Sequence, residues 1–250
     1  MTSDFRLTRR SLLGGAAAAV GGALLGPVPV ASAATAAAPR LYTRAEWRAR
    51  APKAAATVLN RAPDHIVVHH TASANATDYS LEHAFDLSRS IQNFHMDGNG
   101  WDDTGQQLTI SRGGHLMEGR NRSLDAIDAG NHVMGAHTLS HNEHTIGIEN
   151  EGTYMTEGPT DALWDGLVAT CAWLCDVYGL DPHAAIVGHR DYNSTACPGD
   201  TLYALLPQLR DQVAAGLSDP RIKIRARIEA SGLPEPRHRF DHGPTGRPAR

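Results

Sequence analysis

Three cysteines in 250 residues, no apolar run reaching the ~20 residues of a membrane span, no internal repeat and no strong excess of either charge define this chain by what it lacks. Cys171, Cys175 and Cys197 are too few for a disulfide framework, so stability has to come from a packed core. A formal charge of -4 argues against a nucleic-acid partner held through phosphate contacts. With 41% hydrophobic and 20% charged residues the composition is that of a soluble globular protein, expected to be a monomer. At this length one domain with one well-buried core is the default.

The first segment reads as an address rather than as part of the fold. Thr8-Arg9-Arg10-Ser11-Leu12-Leu13 precedes a weakly hydrophobic Gly/Ala/Leu stretch and then Ala31-Ser32-Ala33, the pattern of an export signal with an A-x-A cleavage site. The paired arginines followed by leucines resemble the twin-arginine type, which carries folded proteins across a membrane. The expected organisation is therefore a signal peptide over 1–33, a linker over 34–41, one domain over 42–217 and a basic Pro/Arg-rich tail over 218–250, largely disordered. The product is expected to be secreted or cell-wall associated, with no transmembrane span in the mature chain.

Within the domain, Thr43 and Glu46 have the spacing of a capping box for a brief helix. His65 to His70 reads as a buried strand, with Ile66, Val67 and Val68 as β-formers and two histidines at its C-terminal end. Leu81 to Phe94 has helical apolar spacing, and Asp97-Gly98-Asn99-Gly100 ends it. Gln107 to Ser111 and His115 to Glu118 read as a hairpin around Arg112-Gly113-Gly114. Thr145 to Glu149 is a further strand, and a long helix after Pro159-Thr160 presents Leu163, Leu167, Cys171, Leu174, Cys175 and Tyr178 on one face. Cys171 and Cys175 are one helical turn apart, suited to two small core side chains or to a disulfide between them. Ala184 to Val187 is a strand leading to His189, and Leu202 to Leu217 a closing helix. Strands alternating with helices, plus one hairpin, predict an α/β fold with a mixed central β-sheet flanked by helices.

The chemistry concentrates in GHRDYNSTACPG, where His189 and Cys197 stand eight positions apart, and in IVVHHTA, which supplies His69. Two imidazoles and one thiolate are the donor set of a catalytic zinc that keeps its fourth position for water. Such an ion polarises an amide carbonyl and lowers the pKa of water toward ~7, which points to hydrolysis. Of the two adjacent histidines only one can face a given side of the strand. Asp191 is a candidate acceptor behind a ligating imidazole, or a capping aspartate. The series His132, His137, His141 and His144 has a spacing that fits no compact ligand set.

The segments IVVHHTA, IQNFHMDGNGWDDTG, MEGR, HTIGIENEG and GHRDYNSTACPGD, in this order, resemble the peptidoglycan recognition protein and type 2 N-acetylmuramoyl-L-alanine amidase family over about Tyr42 to Leu217. The resemblance implies a mixed sheet flanked by helices and hydrolysis of the amide between N-acetylmuramic acid and L-Ala of the stem peptide. It implies one Zn2+ per chain on His69, His189 and Cys197. Peptidoglycan or muropeptides would be the partner, contacted by His70, His95, Gln106, His137 and Asn142. The chain departs from many amidases of the family in having Gln106 where they have Tyr; a Gln side chain only donates and accepts hydrogen bonds. Proton transfer is then expected from Glu149, with Glu151 as its rival, and Thr195 is a candidate hydrogen-bond donor to a developing oxyanion. Trp101 reads as a packing residue. The competing readings are a peptidoglycan-binding module of the same fold that does not cut, against which Cys197 argues, and a zinc peptidase acting within the stem peptide.

Overall fold

A computed structural model describes residues 39–217, so the expected signal peptide, residues 34–38 of the linker and the tail lie outside the described residues. The strands are β1 (Leu41–Tyr42), β2 (Val58–Leu59), β3 (His65–His70), β4 (Leu108–Ile110), β5 (Leu116–Glu118), β6 (His132–Val133), β7 (Thr145–Asn150) and β8 (Ile186–Gly188). The helices are α1 (Leu81–Asn93), α2 (Ser123–Asp128), α3 (Asp161–Tyr178), α4 (Pro182–Ala185), α5 (His189–Tyr192), α6 (Asp200–Ala204) and α7 (Leu206–Gly216).

Six strands form one mixed sheet in the order β1-β5-β4-β7-β3-β8, while β2 and β6 pair separately. β3 lies between β7 and β8 and runs parallel to both, which is why all six of its residues are buried. β4 and β5 are the predicted antiparallel hairpin. Alternation divides β3 into two faces. Ile66 and Val68 join Ile146, Ile148, Ile186 and the apolar face of α3 in the main core. Val67 packs instead with Val187 and Tyr192. His65 and His69 share the face of Val67, at opposite ends of the strand, and His70 falls on the main-core side.

On α3, Thr160 caps the start by accepting from the Leu163 amide, and Gly179 closes the end in the left-handed region. The six predicted face residues are all buried, and Cys171 and Cys175 are free thiols packed in the core, not a disulfide.

Four sequence expectations are corrected. The closing helix breaks at Leu205 into α6 and α7, because Pro207 lacks an N–H and starts a helix more readily than it continues one. Ala184 and Ala185 belong to α4, whose start Asp181 caps, so the strand begins only at Ile186. The Thr43/Glu46 bonds form, with the Thr43 amide donating to Glu46 Oε2 at 2.8 Å, but around turns instead of a helix. α1 stops at Asn93 and Phe94–Gly98 continue as one wider π-type turn.

α1 also turns its stripe unexpectedly. Its buried residues are Ala84, Ser88 and Gln92, while Leu87 and Ile91 are half-buried and Phe94 beyond it is 50% exposed. Gln92 is satisfied inside by Arg50 and Asp103, while Ala84 packs with Trp47 and with Met117 of β5. The apolar edge of α1 is left to line a groove.

Candidate functional site

The C-terminal ends of β3, β7 and β8 meet at one place, the usual location of a site in a parallel sheet. His69 is the fifth residue of β3, His189 opens α5 directly after β8, and Cys197 sits on the loop that follows. Their donor atoms lie within 4.8 Å of one another, all three residues buried. His69 Nδ1 is 3.7 Å from Cys197 Sγ, and the His69 and His189 rings are 4.4 Å apart.

Several bonds hold this set in place. The Arg190 amide donates to the Cys197 carbonyl at 3.1 Å, the Arg190 guanidinium reaches the carbonyls of Ala196 and Cys197, and it pairs with Asp200 at 2.8 Å. The Cys197 amide donates to Thr195 Oγ1 at 3.0 Å. The His70 amide donates to Cys197 Sγ at 3.3 Å, a contact that favours the thiolate. Burial, followed by the neighbouring His189, His137 and His70, holds the His69 pKa far below its ordinary value, which leaves the neutral imidazole that a metal requires. These donors fit zinc: two imidazoles and a thiol placed to ionise.

Beside them, Glu149 stands opposite His69 in the β3–β7 register, one strand spacing of about 4.8 Å away. Its Oε2 is buried without a hydrogen-bond partner, and burial raises its pKa well above the ordinary carboxylate range. Glu149, Gln106, His137, His95 and Trp101 enclose a small polar cavity of about 10 Å³, close to the smallest space that holds one water. Gln106 donates to Thr109 Oγ1 at 2.9 Å and leaves its Oε1 unpaired; His137 Nε2 is unpaired as well. Three orphaned polar atoms thus line one pocket. His137 Nδ1 shares hydrogen bonds with His69 Nε2 at 3.0 Å and Thr138 Oγ1 at 2.8 Å. Its ring lies on Gly147, where a Cβ would come within 2.6 Å of Nδ1, so only glycine fits under it. Burial, then the charge of His189, lowers the His137 pKa to about 3. His95 accepts from the Gly105 amide at 3.1 Å and stacks against Trp101 at 4.7 Å; burial, then the charge of Arg120, lowers its pKa to about 4.

Glu149 and His95 also line a larger groove of about 330 Å³, walled by Thr71, Ala72 and Ser73 after β3 and by Leu87, Ile91 and Phe94. A mostly apolar cleft with a few polar groups at its base suits an extended ligand.

The sequence model of the N-acetylmuramoyl-L-alanine amidase family matches residues 59–200, more than half of the chain and all of the site just described. The chain belongs to this family. It is 32% identical over 165 residues to the peptidoglycan-recognition protein LB of Drosophila melanogaster, covering 66% of each chain. It is also 32% identical over 173 residues to the N-acetylmuramoyl-L-alanine amidase of Sus scrofa, covering 67% of this chain and 27% of that protein. The chain thus spans about a quarter of the pig protein and about two thirds of the fly one. The solved structure of wild-type Drosophila LB superimposes with a TM-score of 0.57 at 30% identity, covering 66% of this chain and 91% of that one. A mutant of the same protein has been solved in complex with tracheal cytotoxin, again with a TM-score of 0.57 at 30% identity, 66% of this chain and 91% of that one. The mixed sheet with flanking helices is the family fold.

Not every residue that the family resemblance nominates lies at the cavities. His70 is 3% exposed and on the main-core side of β3, its ring beside Tyr154, and it lines neither cavity. Asn142 Oδ1 accepts from the amides of His137 and Thr138, so it shapes the loop that carries His137. Thr195 is tied to the Cys197 amide and holds the loop. Glu151 is engaged elsewhere, accepting from the Arg112 amide at 2.7 Å and contacting His83 at 2.6 Å. Asp191 takes the capping alternative: it accepts from the Gly188 amide at 2.8 Å and from the Tyr203 hydroxyl at 2.5 Å. Asn193 also stands beside His189, its Oδ1 3.2 Å from Nε2. Its position four residues on, one helical turn, was the signal that could have found it. Trp101 is part of the cavity wall and not only packing.

Proposed function

We propose that this family member is a zinc-dependent amidase that hydrolyses the bond between N-acetylmuramic acid and the L-Ala of the peptidoglycan stem peptide. The observation that carries the reading is the juxtaposition of a three-donor set, His69, His189 and Cys197, with a buried, unpaired carboxyl on the neighbouring strand. When bound at those donors, zinc supplies a Lewis acid for the scissile carbonyl and a positive charge that favours the ionised form of Glu149. Glu149 Oε2 takes a proton from the attacking water and delivers it to the leaving amine nitrogen. Gln106 Oε1 accepts a hydrogen bond in the small cavity, a role that needs no ionisation. His137 orients His69 through the bond to Nε2, and Asn193 does the same for His189. The groove between α1 and the 71–73 loop receives the peptide, with Phe94 at its rim. The N-terminal pattern makes the enzyme an exported protein acting in or on a cell wall, with muropeptides as its partner.

Mass spectrometry of digested peptidoglycan tests the bond: free stem peptides beginning with L-Ala beside intact glycan are expected, and glycan bound without release would leave a recognition module. Cys197→Ser should remove the zinc held by His69 and His189 and with it the hydrolysis, while activity that survives this change and chelation would overturn the metal mechanism.

A further inference from the structure

A second group of ligating side chains stands at the other end of β3. Asp64, His65 and His144 bring their donor atoms within 4.8 Å of one another, and all three residues are more than nine-tenths buried. Asp64 Oδ1 is 2.7 Å from His144 Nδ1 and 3.0 Å from His65 Nδ1. One buried polar atom in this cluster lacks a hydrogen-bond partner, Asp64 Oδ2, while Oδ1 is shared by the two imidazoles. Buried polar groups are nearly always satisfied, so an orphaned carboxylate oxygen between two imidazoles calls for an occupant.

We propose that Asp64, His65 and His144 form a second metal site, for a divalent ion of the zinc type. Two imidazoles and a carboxylate are a donor set of that class. Donors around a tetrahedral zinc stand about 3.3 Å apart; the two contacts to Asp64 are 2.7 and 3.0 Å, and all three donor atoms lie within 4.8 Å of one another. The outer support is in place. His144 Nε2 is 3.0 Å from His141 Nδ1, so a ligating His144 donates its other N–H to His141. The Asp64 amide donates to the His144 carbonyl at 2.9 Å, and Thr145 Oγ1 donates to the His141 carbonyl at 2.8 Å, which fixes both backbones before any ion arrives. The Tyr192 ring covers the cluster, 5.8 Å from the His65 ring and 4.2 Å from that of His141.

The site is separate from the first: the four residue steps of β3 from His65 to His69 span about 13 Å. Its role is a clip. His144 ends the loop that carries His137, so an ion there ties the loop to β3 at a point remote from the groove. Nothing in this proposal depends on the reaction assigned to the other end.

Cobalt titration of the full chain separates the two sites, because a thiolate-to-cobalt band reports Cys197 alone. The wild-type chain is expected to bind two equivalents, one with that band; Cys197→Ser should keep one equivalent without it, and His144→Gln should keep the band and lose the other. If His144→Gln fails to fold, His65→Gln replaces it, and if Cys197→Ser fails, the wild-type comparison with His144→Gln decides alone. One equivalent in the wild-type chain, or two in His144→Gln, would overturn the proposal and leave a hydrogen-bonded His-Asp-His network.

Discussion

The two ends of β3 carry a histidine on the same face and a buried carboxyl beside it, and they differ in what that carboxyl touches. Asp64 contacts His144 and His65; burial pushes its pKa up, but those contacts outweigh burial and hold it at about 2. Glu149 has no such partner, and burial alone raises it. The first carboxylate is held low and confined under Tyr192, the second is held high by burial and opens onto two cavities. Burial therefore does not decide what a carboxyl does here. The partner within hydrogen-bond reach does.

The most severe way to break the contrast is Glu149→Gln, which keeps the shape and removes the titratable group. Turnover should fall by about 10²- to 10⁴-fold with muropeptide affinity little changed. Steady-state kinetics with a KM-against-kcat split reads this directly, and a loss of affinity at unchanged turnover would move Glu149 to ligand binding. Gly147→Ala comes next. Its Cβ would enter the His137 ring, so His137 must move off His69, at a cost of about 1–3 kcal/mol in urea unfolding. Activity should fall with it, and a larger loss of activity than of stability would mark His137 as a positioning residue.

At the other end, Asp64→Asn should cost about 1–2 kcal/mol near pH 5, after discounting for solvent screening. Because the folded pKa is depressed, this contribution is present above the ordinary aspartate range and disappears as pH falls through about 2. Glu149 has the opposite sign: its folded pKa is raised, so its contribution to the metal-free chain is full in acid and is lost as pH rises through the folded value. The metal-free Glu149→Gln variant should therefore overtake the wild type in stability as pH rises above the ordinary glutamate range. Chemical unfolding across pH checks both slopes, and parallel slopes would erase the distinction between the two carboxyls.

Much of the architecture was readable because local patterns carry it. The alternation in β3 and β7, the face of α3 and the Arg112-Gly113-Gly114 hairpin all follow from periods of two or 3.6 and from turn residues. His189 and Cys197 could be read together because a short loop holds both. Long-range relations were not readable. Asp64, His65 and His144 meet because β3 and β7 pair in parallel, a contact across some 80 positions with no local signature. The spacing of His132, His137, His141 and His144 gave no ligand set because only His144 of them falls in the cluster, beside Asp64 and the first residue of β3. The apolar stripe of α1 was correctly spaced, but spacing does not say whether a stripe meets a core or a groove.

The grip of Arg190 on the Cys197 loop has a further consequence. One guanidinium spans the carbonyls of Ala196 and Cys197 and the carboxylate of Asp200, while its carbon lies 4.8 Å from the Tyr203 ring centre. The thiol is thereby stationed at the end of β8 by a clasp that contains none of the three donors, so the loop acts as a mould and not as a drawstring. An arriving ion meets a finished coordination shape, and loosening the clasp with Arg190→Lys should slow metal capture while leaving the donor chemistry intact.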